Sequence, residues 1–498
     1  MQPQNAVACI WALAFVLNAW GLAIPESHLA TPCKTLSDIG TRYNEAPAST
    51  LPVTGSSPLS GDIISPTPES PVSTLPVSES SPLSEDIISP TPERPATTLP
   101  VPSSSTLSGD IVSPSPQPST RAFDGPDFLR GVNIGGWLVI EKWMNWELFA
   151  GFDASDQHSF DSQPGAEAAL QNHWNTWFKE EDVQNLKSNG INAMRIPIGF
   201  WAYDNDNTPY LKGADAFLDK AIGWARGADI KVWVDLHGAP GSQNGFDNSG
   251  RAGSVEWQQG DNIRRTISVL KTMAEKYGAQ QYADVVIGLE LINEPISWGS
   301  NNIETTKRFA ADAYAAVRAA AANPDLMIIM HDAFQGANSW NSFARELNAG
   351  DGFGIDAHLY QIFVEEDLQL TQAQHIEKAC GWSSGLADAN SVMPTFVGEF
   401  SASSQICVNP DGSTTAGTSC SVEGCQCQSA EFDQWNDVMV EQARRFVEAQ
   451  LDTFEANSRG YFMWAWKGPG SWGFTNGIAK GIIPNPVTDR KYPGQCDK

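Results

Sequence analysis

The chain reads Val285-Val-Ile-Gly-Leu-Glu-Leu-Ile-Asn-Glu-Pro295 near its middle, a short apolar run that ends in an amide, a carboxylate and a proline. A run of this length, bounded by polar residues, is typical of a β-strand that is buried on both faces. Similar runs recur along the chain. The predicted strands are Gly131–Ile140, Ile191–Ile198, Ile230–Leu236, Val285–Ile292, Leu326–Met330, Gly354–Leu359, Thr395–Phe400 and Tyr461–Trp466.

Segments of helical length lie between these runs, and several carry apolar residues at helical spacing. They are Ala166–Ser188, Ala214–Ala228, Glu304–Ala322 and Glu431–Ala456. Strands that alternate with helices predict an α/β fold, and eight such strands predict a closed parallel (β/α)8 TIM barrel. The alternative is an open doubly wound sheet. That fold normally has a glycine-rich phosphate loop after an early strand, and the sequence has none.

Composition divides the 498 residues into three parts. Residues 1–23 contain an apolar run that predicts a signal peptide, with a non-cleaved membrane anchor as the alternative. Residues 24–121 are rich in Ser, Thr and Pro, and a 24-residue repeat begins at Leu51, Leu75 and Leu99. Its units have too little apolar surface to stack, so we expect a disordered, O-glycosylated stalk. The aromatic residues of 122–498 predict the barrel domain.

The net charge of −27 argues against nucleic acids and anionic lipids as partners, because both require a basic surface. Eighteen Trp residues in an acidic chain favour a neutral carbohydrate ligand, although Trp also fills ordinary cores. The sequence indicates no cofactor and no protein partner. We therefore expect a monomer. The predicted signal peptide indicates that it is secreted to the extracellular space or the cell wall.

Four of the eight cysteines, Cys407, Cys420, Cys425 and Cys427, lie close together among small polar residues. This spacing predicts a loop held by disulfides, and the sequence leaves the pairing open. Cys425 and Cys427 are too close for a usual zinc pair, and no His lies near them, so we expect no metal there.

The active site of a TIM barrel forms at the carboxyl ends of its strands, and two glutamates stand at such ends. Glu294 follows the fourth predicted strand, and Glu399 lies at the end of the seventh. Two carboxylates that flank a glycosidic bond can cleave it, one protonated as the acid and one ionised as the nucleophile. Either glutamate alone could be an ordinary solvated residue. Together they predict a glycosidase, with their side chains roughly 5 Å apart for a retaining mechanism.

Further polar residues at the strand ends have chemical reasons to be there. The amide of Asn293 can bind a sugar 2-hydroxyl, a contact that strengthens in the transition state. Arg195 can keep a nucleophilic carboxylate ionised, or it can form a structural ion pair. His237, His331 and His358 could bind a metal, but they lack a supporting Cys or carboxylate trio. We expect them to bind sugar or a catalytic carboxylate, and we expect no metal.

Several long motifs together resemble the fungal exo-β-1,3-glucanases of glycoside hydrolase family 5. The resemblance covers about residues 122–498, and the motifs occur in the family's order. They are Gly131-Val-Asn-Ile-Gly-Gly-Trp-Leu-Val-Ile-Glu141, Asp235-Leu-His-Gly238 with its continuation to Gly250, Asn293-Glu-Pro295, His331-Asp-Ala-Phe334, His358-Leu-Tyr-Gln-Ile-Phe363, Val397-Gly-Glu399 and Phe462-Met-Trp-Ala-Trp-Lys467.

The resemblance implies a retaining mechanism with Glu294 as acid/base and Glu399 as nucleophile. Phe246 and Phe363 match an aromatic pair that clamps the second glucose, with Asn248 beside them. It also implies one disulfide between Cys380 and Cys496 and another between Cys407 and Cys420. The residues that match the subsite for the terminal glucose are Glu141, Arg195, His237, Asn293, His358, Tyr360 and Trp464.

Two residues depart from the family pattern where sugar is expected to bind. Trp143 replaces a tyrosine and is expected to line the pocket, and Asp367 replaces a glutamate. These two substitutions leave undecided which linkage the enzyme prefers and whether it cleaves at chain ends or within the chain. We expect release of glucose from the non-reducing end of β-1,3-glucan. The alternatives are a β-1,6- or mixed-linkage glucanase, a wall-remodelling transglucosylase, and an inactive wall-binding protein.

Overall fold

The computed structural model describes residues 128–497. The predicted signal peptide (1–23), the predicted stalk (24–121) and the first residues of the predicted barrel domain lie outside the described residues. Within them, no helix is long and apolar enough to cross a lipid bilayer.

Eight parallel strands close into a barrel, which confirms the predicted fold class. Each strand lies within two residues of its predicted start, and each pairs with neighbours on both sides. Around the barrel, the order is β1-β11-β7-β6-β5-β4-β3-β2. The barrel strands are β1 (Leu129–Asn133), β2 (Ala193–Gly199), β3 (Lys231–Gly238), β4 (Val286–Glu290), β5 (Met327–His331), β6 (Phe353–His358), β7 (Thr395–Phe400) and β11 (Gly460–Met463).

Helices surround the barrel, and a small antiparallel sheet follows β7. That sheet contains β8 (Ile406–Val408), β9 (Thr414–Ala416) and β10 (Gln426–Cys427). The helices are α1 (Trp146–Phe149), α2 (Gln157–Asp161), α3 (Ala166–Thr176), α4 (Glu180–Ser188), α5 (Ala214–Gly227), α6 (Asn262–Tyr277), α7 (Ile303–Ala320), α8 (Asn341–Leu347), α9 (Gln372–Gly381), α10 (Ser383–Asn390), α11 (Asp437–Asn457) and α12 (Phe474–Lys480).

Three predicted boundaries were wrong, each for a local reason. The first predicted strand extends seven residues too far, because the chain turns at Gly136, whose φ is +66°. The predicted helix 166–188 is two helices, since the Asp182 carboxylate accepts the Lys179 backbone N–H at 2.9 Å and starts α4 anew. The last predicted helix begins at Asp437 rather than 431, where Asn436 caps the Met439 N–H at 2.9 Å.

The interior of the barrel consists of an apolar layer below a charged layer. Trp233 lies at the junction, with the guanidinium of Arg195 5.9 Å above its ring. The upper layer consists of buried polar side chains at the carboxyl ends of the strands. The candidate active site lies at this end of the barrel. The lower layer consists of Leu129, Ala193, Trp233, Met327, Ile329, Phe396 and Phe462.

Candidate active site

The two predicted catalytic glutamates meet at the barrel mouth beside one histidine. His358 Nδ1 lies 2.8 Å from Glu294 Oε1 and 3.5 Å from Glu399 Oε2. These two nearest oxygens are therefore at most about 6.3 Å apart, whereas the carboxyl groups of inverting enzymes are roughly 6.5–9.5 Å apart so that a water fits between them. The bound is compatible with the separation of roughly 5 Å expected for direct displacement.

The backbone aims these side chains into the mouth. Glu294 has a left-handed φ of +45°, which turns the chain sharply just after β4. Glu399 follows Gly398 in β7, and a Cβ on that glycine would overlap the Asp356 carboxylate. Asp356 accepts the Gly398 backbone N–H at 2.5 Å, so the glycine lets β6 and β7 bring their polar ends together.

Both oxygens of Glu399 are hydrogen-bonded. Arg195 Nη1 donates to Oε1 at 3.0 Å, and the Tyr360 hydroxyl donates to Oε2 at 2.8 Å. Burial raises the pKa of Glu399, and the charge of Glu294 adds to this, while His358 and Arg195 oppose it. Two donors therefore fix the orientation of this carboxylate.

Glu294 accepts hydrogen bonds from a different pair of residues. His358 Nδ1 contacts Oε1, and Asn248 Nδ2 donates to Oε2 at 2.8 Å. Burial tends to raise the pKa of Glu294, but the bond and charge of His358 outweigh it and lower that pKa. This direction is opposite to the raised pKa expected of a catalytic acid.

The environment of His358 favours the charged form of its ring. Burial disfavours the imidazolium, but Glu399, Asp356 and Glu294 together raise the pKa of His358 well above its usual value. Its Nε2 lies 3.3 Å from Asp356 Oδ2, so both ring nitrogens face carboxylates. The charged imidazolium would therefore donate from Nδ1 to Glu294 Oε1, over the 2.8 Å that separates these two atoms.

Arg195 forms both the structural ion pair and the contact to the nucleophile that the sequence left as alternatives. It is fully buried. Nε donates to Glu290 at 2.8 Å, and Nη2 lies 3.1 Å from Asp235. Nη1 donates to Asn133 as well as to Glu399, and Nη2 donates to Asn293 at 2.8 Å. One guanidinium thus binds five side chains.

Several buried polar atoms around the mouth have no hydrogen-bond partner among the described residues. Among them are Nε2 of His237 and Nδ2 of Asn293. The other ends of both side chains are fixed, because His237 Nδ1 lies 2.6 Å from Asp235 and Asn293 Oδ1 accepts from Arg195. Trp464 stacks on the His237 ring at 5.5 Å. A polar ligand would satisfy both atoms.

The loop after β1 supplies the remaining predicted residues of the innermost pocket. Glu141 is buried, and its Oε2 accepts the Trp143 indole N–H at 2.9 Å. Burial, followed by the charge of Asp247, raises the pKa of Glu141 well above its usual value. Trp143 therefore binds a carboxylate of the pocket directly.

The predicted aromatic pair occupies loops after β3 and β6. Phe246 and Phe363 are both half-buried, and Asn248 lies beside Phe246 in the chain. Phe363 packs at 5.2 Å from Tyr360 and stacks at 5.9 Å on Trp472. Asp367 is different, because its carboxylate is buried in an ion pair with Lys378 of α9. The expectation that Asp367 lies where sugar binds was wrong.

Sequence reasoning missed Trp472 and the buried acids below the pocket. Trp472 contacts Tyr360, Phe363 and Trp143, the last at 5.3 Å. Its signal was an aromatic residue in a Gly-Pro-Gly-Ser-Trp loop shortly after the last strand. The acids Asp235, Glu290 and Asp356 could have been noticed as charges inside apolar strand runs.

His331 approaches Glu294 and His358 closely enough for a shared metal ion, with potential ligand atoms within 4.8 Å. The protonation of the two rings does not favour such an ion. His331 Nδ1 accepts the Ala333 backbone N–H at 3.1 Å, which leaves the proton on Nε2. Both ring nitrogens of His358 face carboxylates, which favour its charged form. Metal ligation would require His358 to lose a proton and His331 to move its proton from Nε2 or to give up its bond to Ala333.

Of the two disulfides that the family resemblance implied, one is present. Cys380 and Cys496 are bonded, as the resemblance implied. The implied bond between Cys407 and Cys420 was wrong: Cys407 pairs with Cys427, and Cys420 pairs with Cys425. The small sheet explains this, because antiparallel β8 and β10 place Cys427 directly opposite Cys407.

Comparisons with known proteins agree with this geometry. The model of the family described as Cellulase (glycosyl hydrolase family 5) matches residues 156–470. A Saccharomyces cerevisiae protein named glucan 1,3-beta-glucosidase I/II is 40% identical over 74% of this chain and 87% of its own length. A Blumeria graminis glucan 1,3-beta-glucosidase is 37% identical over 74% of this chain and 89% of its own length.

A solved structure shares the fold. The crystal structure of rutinosidase from Aspergillus niger aligns with a TM-score of 0.56 over 71% of this chain and 97% of its own, at 19% identity. The family model covers well over half of the chain, and the relatives are similar across most of their length. This chain therefore belongs to glycosyl hydrolase family 5 and is a glycoside hydrolase.

Proposed function

We propose that this glycoside hydrolase releases glucose from the non-reducing end of β-1,3-glucan with retention of configuration. The observation that carries the proposal is the pair of glutamates that share His358 within a pocket of oriented, unpartnered polar atoms. The names of the relatives, which are glucan 1,3-beta-glucosidases, support the choice of polymer.

Glu399 is the nucleophile. Attack on the anomeric carbon requires an ionised, fixed carboxylate, and Arg195 and Tyr360 donate to its two oxygens. As the glycosyl ester forms, Glu399 loses its full negative charge. A hydrogen-bond donor then binds the partial negative charge on the carbonyl oxygen of the ester.

Glu294 is the acid/base, and His358 holds its proton before the reaction. As Glu399 attacks the anomeric carbon, its negative charge is neutralised and no longer raises the pKa of His358. In the same step the proton passes from His358 through the 2.8 Å contact to Glu294 and on to the leaving oxygen, as the glycosidic bond breaks. The Glu294 carboxylate afterwards removes a proton from the water that hydrolyses the ester.

The free pocket atoms bind the terminal glucose. Asn293 Nδ2 donates to the 2-hydroxyl, because its Oδ1 is already committed to Arg195. His237 Nε2 and Glu141 bind hydroxyls farther from the anomeric carbon, and Trp464 packs against the ring face. Phe246 and Phe363 clamp the second glucose, and Asn248 orients Glu294 beside them.

The remaining parts of the chain fit an enzyme that works outside the cell. Residues 1–23 direct secretion, residues 24–121 form the stalk, and residues 122–498 form the catalytic domain. The enzyme acts on glucan in the extracellular space or the cell wall as a monomer without a cofactor. Treatment of secreted protein with a chelator should leave its activity unchanged.

Product analysis tests the substrate. The full chain is incubated with laminarin and, separately, with pustulan, a β-1,6-glucan. We expect glucose as the first product from laminarin and at least about tenfold slower release from pustulan. Glucose mainly from pustulan would indicate a β-1,6-glucanase instead. Longer oligosaccharides at high laminarin concentration would favour a transglucosylase.

Two substitutions test the roles of the glutamates. Glu399→Gln should remove activity on every substrate. Glu294→Gln should lower laminarin hydrolysis by about a hundredfold or more, yet retain formation of the glycosyl enzyme from a 2,4-dinitrophenyl glucoside, whose leaving group needs no proton. Near-normal turnover by Glu399→Gln would contradict the assignment.

A further inference from the structure

The loop after β1 folds back so that an indole donates to a pocket carboxylate two residues earlier. Trp143 Nε1 lies 2.9 Å from Glu141 Oε2. The turn is closed by backbone bonds from Met144 and Asn145 to the Glu141 carbonyl, at 3.1 and 2.9 Å. The indole is therefore held by the loop itself.

Asn145 makes this turn rigid. Its Oδ1 accepts the Glu141 backbone N–H at 3.0 Å, and its Nδ2 donates to the Gly136 carbonyl at 3.0 Å. On the other side, Trp143 packs edge-on against Trp472 at 5.3 Å. The ring of Trp143 is thus fixed by packing, and its N–H is fixed toward Glu141.

Glu141 needs such a donor because acidic neighbours surround it. The charges of Asp247, Glu399 and Glu294 all repel a carboxylate at this position. The indole N–H opposes this repulsion, because its hydrogen bond favours the ionised form and lowers the pKa of Glu141. With Oε2 bound to the indole, Oε1 is the oxygen left to accept a hydroxyl from the ligand.

We propose that Trp143 is a positioning residue that sets the glycone specificity of this enzyme through Glu141. The inference rests on the proposed function, since it concerns which terminal sugar that pocket accepts. Glu141 lies on the loop after β1, whereas Glu294 follows β4 and Glu399 lies in β7, so Glu141 is placed to bind a part of the sugar away from the anomeric carbon. The hydroxyls at C4 and C6 lie in that part of the sugar.

Trp143→Phe tests the proposal because it keeps a smaller aromatic ring against Trp472 and removes the N–H that binds Glu141. The readout is kcat/KM for aryl β-glucoside, for the galactoside, which differs at C4, and for the xyloside, which lacks the C6 arm. We expect the preference for the glucoside over at least one of these to fall by about tenfold, as loss of one buried hydrogen bond produces. An equal change for all three substrates would overturn the proposal.

A double-mutant cycle shows whether Trp143 acts through Glu141. In a Glu141→Ala background, Trp143→Phe should change the preference by less than about twofold, because the acceptor is gone. A full additional tenfold loss in that background would overturn the proposal. Trp146→Phe is the matched control, because it removes an indole N–H three residues farther on, at the start of α1, from a side chain that is 58% exposed.

The bond itself can be observed without turnover. In protein labelled with 15N-tryptophan, addition of glucose should shift the Trp143 indole resonance in the wild type and leave it in place in Glu141→Ala. A shift in a wild type that does not cleave glucan would separate a failure of the proposed function from a failure of this inference. A Trp143 resonance that glucose does not move would overturn the inference.

Discussion

Replacement of Arg195 by lysine should destabilise the barrel strongly, although it conserves the charge. The guanidinium makes contacts of 2.8–3.1 Å to five acceptors. An ammonium has three N–H donors on a single atom, so at least two of the five acceptors lose their partner. The five acceptors belong to Asn133, Asp235, Glu290, Asn293 and Glu399.

The magnitude follows from the burial of these groups. The side chains of Arg195, Asp235 and Glu290 are wholly inaccessible to solvent, so no water can replace a lost donor. A hydrogen bond to a charged group contributes about 1.5–3 kcal/mol, and two lost bonds therefore cost about 3–6 kcal/mol. A domain that is stable by only about 5–15 kcal/mol would lose much of its stability.

Urea denaturation, followed by tryptophan fluorescence and far-UV circular dichroism, measures this loss. Arg226→Lys is the matched control, because Arg226 binds Asp284 through two bonds of 2.7 and 2.9 Å on the exposed surface. That substitution should cost no more than about 1 kcal/mol. An Arg195→Lys variant within about 1 kcal/mol of wild type would refute the reasoning.

Two further predictions concern stability. Burial raises the pKa of Asp332 from 3.8 to about 7, so the folded chain keeps a proton that the unfolded chain releases. The stability from this group is complete below pH 3.8 and is lost as the pH rises through 7. Asp332→Asn should therefore be at least ~1 kcal/mol more stable than wild type at pH 8 but no more stable at pH 4, and an equal difference at both would contradict this. The Cys380–Cys496 bond closes a separation of 116 residues and Cys420–Cys425 one of 5. Replacement of both cysteines of a bond by serine should lower the free energy of unfolding, measured in denaturant, by about 5 kcal/mol for the first bond and about 2 kcal/mol for the second. Equal losses would count against loop-closure entropy as the cause.

The positions of the strands could be predicted because buried parallel strands leave a strong local signal. β7 was predicted with both ends correct, since the apolar run from Thr395 is bounded by Pro394 and by polar residues after Phe400. Strand ends also locate the functional face, so Glu294 and Glu399 could be expected near each other. A purely local pattern was sufficient for both conclusions.

Through-space features could not be predicted in the same way. Trp472 reaches the pocket because its loop folds beside Tyr360, and no spacing in the sequence encodes that approach. The partner of Cys407 depended on the register of a small sheet that periodicity did not reveal. Asp367 follows the predicted pocket residues in the chain, but its carboxylate forms an ion pair with Lys378 of α9.

The balance of charge within the barrel explains why the pKa of Glu294 is lowered and that of Glu399 is raised. An acid and a nucleophile would be expected to show the opposite order. Arg195 and His358 are the cations that contact the catalytic carboxylates, and Asp235, Glu290 and Asp356 already compete for them. So many acids in low dielectric cannot all ionise, and burial raises the pKa of Glu290 well above its usual value. The protonation of Glu294 therefore depends on the whole cluster of charges and not on this carboxyl group alone. The pH dependence of hydrolysis should accordingly respond to substitution of Glu290 or Asp356, although neither residue touches the sugar.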